Sequence, residues 1–111
     1  MDLQEKQLGQ LRPADTTAAS LYNPGANTTA VIKGLVICNT SSSNAKFRVF
    51  NDDDGTTYDE TTALFFDAPI APGQTLEVDG FKAMNNSAGN FAVRTNTANA
   101  ITFTLYGAEI V

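Results

Sequence analysis

Apolar residues in this chain come in short bursts, and each burst is cut off by a cluster of Gly, Pro, Asn, Ser or Thr. That punctuation constrains the fold more than any other feature. From Ala18 onward it predicts strands near 18–23, 30–39, 45–50, 62–67, 74–79, 91–95 and 101–110. Between them lie NPGANTT, TSSSN, an acidic stretch, APIAPGQ, MNNSAGN and NTANA. No segment sustains a 3.6-residue apolar period and only 17% of residues are charged, so a helical bundle is excluded. With 111 residues there is material for one core. The spacing predicts a single all-β domain, a jelly-roll-like sandwich of about seven to eight short antiparallel strands.

The strands alternate differently. In KFRVF, Phe47 and Val49 face one way while Lys46 and Arg48 face the other, the pattern of a half-buried strand. In AVIKGLVIC both faces are apolar. Strict alternation puts Ile32, Val36 and Cys38 on one side, with Val31, Leu35 and Ile37 on the other. One face fills the core. The other needs a cover, either a loop or arm of the same chain or a neighbouring subunit, and Val31, Leu35 and Ile37 are the predicted subunit contact. TALFFD poses the same problem, because Leu64 and Phe66 oppose Phe65.

Residues 1–17 read differently from the rest. Leu3, Leu8 and Leu11 make no sustained stripe, and Gly9 and Pro13 stop any helix early. The segment is expected to be an extended arm in front of a sandwich domain spanning 18–111. It is either a frayed terminus or an arm that docks its three leucines on a partner.

Much chemistry is excluded by composition. The chain has no histidine, which removes the usual general base and the commonest zinc ligand. Its single cysteine, Cys38, sits in an apolar run and is expected to be a buried thiol. Neither NPGANTT nor NSAGN has phosphate-loop spacing, and tryptophan is absent. The net charge is −5, and the seven basic residues are spread from Lys6 to Arg94, so neither nucleic acid nor an anionic membrane is an expected partner. The polar MDLQEKQLGQ start is not that of a secretory signal, and no apolar run has membrane-spanning length.

The stretch NDDDGTTYDE, residues 51–60, holds five of the twelve acidic residues. Against the EF-hand loop, Gly55 at position 6 puts Asp52 and Asp54 at positions 3 and 5, but positions 1 and 12 fall on Phe50 and Thr61. The expected structure is a solvated connection with a turn at Asp54–Gly55 that needs positive φ. The alternatives are a structural calcium site from Asp52, Asp54, Asp59 and Glu60, or an acidic loop aimed at a basic patch on a partner. Paired carboxylates also serve glycoside hydrolysis, but nothing in this polar loop raises one of them into an acid.

Several segments carry a family resemblance: LGQLRPADTTAASLYNPG, AVIKGLVICNTS, FRVFNDDDGTTYDETTALFFDAPIAPGQTL and the closing ITFTLYGAEI. The chain resembles the small β-sandwich structural proteins of tailed-phage virions, a group that includes capsid decoration (cement) proteins. The resemblance implies a non-enzymatic virion component without cofactor, made in the host cytoplasm and placed on the capsid surface. Its implied partner is the major capsid protein or another shell protein, its implied assembly a homotrimer. The arm residues Leu3, Leu8 and Leu11 would then touch the shell. The alternative is a tail or fibre-tip module that binds glycan through the aromatics nearest the polar loops, Tyr58, Phe65 and Phe66.

Overall fold

The computed structural model describes residues 2–111; Met1, the first residue of the expected arm, lies outside the described residues. Eight strands follow one another: β1 (Leu3–Leu11), β2 (Ala19–Tyr22), β3 (Thr29–Asn39), β4 (Ala45–Asp52), β5 (Ala63–Ile70), β6 (Thr75–Met84), β7 (Asn90–Thr95) and β8 (Ile101–Ile110). They form two four-stranded sheets, ordered β1-β8-β3-β6 and β2-β7-β4-β5. Every neighbouring pair is antiparallel. Each strand hands the chain to the opposite sheet except where the path must return, which is the winding of an eight-stranded jelly roll. The predicted sandwich is therefore the observed one. The seven strands read from sequence all exist, with β6 running five residues further and β5 extending through Pro69, an edge-strand position that tolerates a missing N–H.

The first seventeen residues differ from expectation. Leu3–Leu11 is extended, but it is not an arm standing off a domain that begins at residue 18. It pairs with β8 from Leu3 opposite Ile110 to Leu11 opposite Phe103 and forms an edge of the first sheet. LQEKQLGQL is too polar to read as a strand, and its hydrogen bonds come from residues about a hundred positions away.

The core lies between the sheets. Ile32, Leu35, Ile37, Phe103 and Leu105 from the first meet Phe47, Val49, Phe91 and Val93 from the second. Phe47 and Phe103 touch edge-on across the gap, with ring centroids 6.2 Å apart.

A β-bulge decides which side of β3 joins this core. Ile32 lies opposite Gly107 and Gly34 opposite Tyr106, so Lys33 has no counterpart on β8. One extra residue swaps the faces of everything beyond it. Leu35 and Ile37 therefore point into the core beside Ile32, and the outward residues are Val31, Val36 and Cys38. Of the predicted subunit contact Val31, Leu35 and Ile37, only Val31 remains on the outer face. Strict alternation fails because a two-residue period carries no mark of an inserted residue.

A second bulge, at Leu8 of β1, falls beside the first: Gln7 opposes Tyr106 and Gly9 opposes Leu105. Both bulges converge on Gly107. A Cβ there would stand 2.1 Å from the Val31 carbonyl oxygen and 3.0 Å from the Leu8 side chain, so no larger residue fits.

Polar side chains tie the loops together at both ends. At one end the buried Asn39 amide donates to the Ser43 and Ile70 carbonyls, and Gly73 N–H donates to the Asn39 carbonyl. Residues 71–74 make a turn with Pro72 second and Gly73 third at φ 73°, closed by Gln74 N–H to the Ala71 carbonyl. At the other end the Asn23 amide holds the Ser87 and Gly89 carbonyls, and the Asn90 amide holds that of Gly55.

Candidate interaction surfaces

The acidic stretch is a cover for the second sheet. Phe50 lies on the outer side of β4, in register with Ala92 and Ala63, yet is only 1% exposed. Tyr58 folds over it, ring centroids 5.9 Å apart. The loop's carboxylates hold that shape. Asp52 accepts from the Thr57 N–H at 2.8 Å and the Asp54 N–H at 3.1 Å, and these bonds keep its carboxyl below the ordinary carboxylate range. Asp54 is pushed up, first by its hydrogen bond to Asp52 and then by that group's charge. Asp59 accepts from the Thr61 hydroxyl and N–H, which lower it. Asp52, Asp54, Asp59 and Glu60 are not gathered into a cation cage: among the described residues no group of three His, Cys, Asp or Glu could hold a metal ion.

The aromatics that a glycan platform would need are dispersed. Tyr58 packs on Phe50, Phe65 packs on Phe47 at 5.6 Å, and Phe66 lies under the Arg48 guanidinium at 3.8 Å. The three predicted shell-contact leucines separate as well. Leu8 and Leu11 pack against the core, while Leu3 is 61% exposed.

Outside the acidic loop, the outer face of the second sheet gathers cations and that of the first gathers carboxylates. On the second sheet Arg48 and Arg94 are direct cross-strand partners, and Lys46 lies two residues along the same face. Like charges so placed repel, and Asp67 answers them. A two-for-one irregularity in β5 gives Asp67 a φ of 54° and aims its carboxylate at Arg48, with Nε–Oδ1 at 2.7 Å and Nη2–Oδ2 at 3.0 Å. That pair holds the Asp67 carboxyl down, and the Lys46 and Arg94 charges add to the effect. Scattered in sequence, three of the seven basic residues meet in space. Residue-by-residue reading missed the cluster, because Arg94 reaches Arg48 only through the β4–β7 pairing.

On the first sheet, cross-strand registers put Val31, Val36, Cys38 and Tyr106 on the outer face with Glu5, Glu77 and Asp79. Lys33, the bulged residue, pairs with Glu5 at 2.9 Å. Tyr106 is 45% exposed and borders a shallow depression of ≈ 440 Å³ with Lys33, Gly34, Val36, Glu77 and Asp79. Nearer the chain ends, Glu109 turns between the sheets to pair with Lys6 and to accept from the Tyr22 hydroxyl. Both contacts lower the Glu109 carboxyl, Lys6 foremost, and burial followed by that hydrogen bond raises Tyr22.

Two further concavities lie apart from these surfaces. The slot between the sheets beside β5 and β6 holds ≈ 20 Å³, space for about one water. A wider hollow of ≈ 560 Å³ at one end of the sandwich is lined by Asn44, Ala45, Lys46, Pro69, Ile70, Ala71, Gln74 and Asn96, with no carboxylate or nucleophile pair.

No known protein family and no curated protein matches this sequence. Solved structures do match its fold. A chain of the T13 viral particle of infectious bursal disease virus superposes over 97% of this chain with a TM-score of 0.52 and 11% identity. The VP2 subviral particle of the same virus gives 0.47 at 11%, also over 97%. A pentameric capsid protein from metagenomic phage sequences gives 0.37 at 16%, over 96%. This chain spans 29%, 31% and 59% of those chains, about a third of the length of the first two. At such identity the first likeness is one of fold alone.

Proposed function

We propose that this chain is a structural component of a virus particle, and within that class a decoration protein that binds the capsid of a tailed phage and stabilises it. The observation that carries the reading is the fold, two four-stranded sheets that superpose along 97% of the chain on a viral-particle chain with a TM-score of 0.52. The resemblance of its segments to phage decoration proteins supports the finer assignment. Attachment works by repetition: each copy contributes a modest contact, and symmetry multiplies it. Leu3, the exposed leucine of β1, is the contact offered to the major capsid protein or another shell protein, and a trimer is the assembly the resemblance implies.

Co-sedimentation with tailed-phage capsids stripped of their surface proteins tests this directly. Saturable binding that raises the melting temperature of the particles is the expected result, and Leu3→Ser should weaken it while leaving the sandwich folded. Failure to sediment with any capsid, together with retention on a glycan array, would move the protein to the tail or fibre tip.

A further inference from the structure

Patches on the two outer faces are complementary in charge. One face, beside the acidic loop that covers part of it, carries a patch of Lys46, Arg48 and Arg94 around Asp67, locally net +2, with Glu60 acting on Arg48 from the rim. The other carries Glu5, Glu77 and Asp79 against Lys33, net −2. Each also exposes one aromatic among its charges, Phe66 at 40% and Tyr106 at 45%. Among the described residues Glu77 and Asp79 make no ion pair, and Lys46 makes none either. A chain of net charge −5 repels its copies at long range, so any attraction between them must come from a local match of this sort.

We propose that the outer face of the first sheet is a docking surface for a second copy of this chain, which presents the basic patch on the outer face of its second sheet. Lys46 and Arg94 of the incoming copy enter the depression between Glu77, Asp79 and Tyr106. The two carboxylates supply charge-assisted partners, and the tyrosine ring supplies a face for a guanidinium. Val31 and Val36 provide apolar area around that contact, on the side of β3 that stays partly exposed. Because the two faces lie on opposite sides of the sandwich, the contact is head-to-tail. Repeated, it closes a ring or runs on as a stack. The contact is independent of the virion reading: a chain that never binds a shell still associates with itself in this way.

Sedimentation of the full chain at about 0.01 M and about 1 M salt, where screening lengths are about 30 and 3 Å, reads it out. Oligomers that form at low salt and dissolve at high salt are expected. Glu77→Lys with Asp79→Lys, and separately Lys46→Glu with Arg94→Glu, should each weaken association by about tenfold or more while melting near the parent temperature. Mixing the two charge-reversed chains should restore association, since each then offers the face the other lacks. Tyr106→Ser, which leaves every charge in place, should weaken association less than either. The proposal is overturned by a parent chain that stays monomeric at low salt, by reversed chains that associate as the parent does, or by folded reversed chains that stay apart when mixed.

Discussion

The two sheets face the same difficulty on their outer sides and meet it differently. On the second sheet Phe50 points away from the core, and the chain covers it with its own loop, Tyr58 lying on the ring and Asp52 stapling the loop's backbone. On the first sheet Val31, Val36, Cys38 and Tyr106 also point away from the core, and they stay partly exposed. A covered apolar residue adds to the stability of the monomer. An uncovered one contributes when another molecule arrives. The comparison separates residues that hold the fold from residues free to bind, a division that hydrophobicity alone does not make.

Removing Phe50 should break the covered side most severely. Phe50→Ala is expected to cost about 3 kcal/mol in urea unfolding, the lower end for a buried phenylalanine, because the loop can settle partly into the gap. A loss no greater than that of a surface change would mean that the loop is no cover.

Acid should act next, through the same loop. Asp52, Asp59, Asp67 and Glu109 all have folded carboxyls below their ordinary values. A group lowered by folding contributes stability that is present above its unfolded value, about 4, and is lost as pH falls through the lower folded value. Asp54, raised, works in the opposite sense. Thermal unfolding followed from about pH 5 to about pH 2 should therefore show a falling Tm, and Asp52→Asn should flatten part of that fall. A Tm that stays level over this range would leave the staple without energetic content.

The smallest effect is expected on the bare side. Val36→Ala should change monomer stability by no more than about 0.5 kcal/mol, since the site is only half-buried. A loss approaching that of Phe50→Ala would show that the first sheet is also sealed within the chain.

The acidic stretch shows how far local reading reaches. The connection it makes is visible in ten positions, but neither Asp54 nor Gly55 takes the positive φ that their pairing predicts. That Tyr58 lands on Phe50 is invisible at that scale, because Phe50 reads as a core residue until the register of β4 against β5 is known. The basic cluster is a similar case, since Arg48 and Arg94 stand 46 positions apart yet are cross-strand partners. No ligand motif marks either surface. They are made of ordinary strand residues, and only their placement gives them meaning.

Local sequence alone marks the all-β class, seven of the eight strands and the burial of Phe47 and Val49 in β4. All of these follow from contacts between a residue and its near neighbours, which turn chemistry and two-residue periodicity record directly. Long-range pairing decides that LQEKQLGQL is a strand, that Leu35 and Ile37 enter the core while Val36 stays outside, and that Lys46, Arg48 and Arg94 gather into one patch. Each depends on pairing across the fold. β1 needs β8 for its hydrogen bonds, and the bulge at Lys33 exists only as a mismatch against a partner strand. One inserted residue reverses every side chain beyond it, so the register between distant strands, absent from any local pattern, settles which surface this protein turns outward.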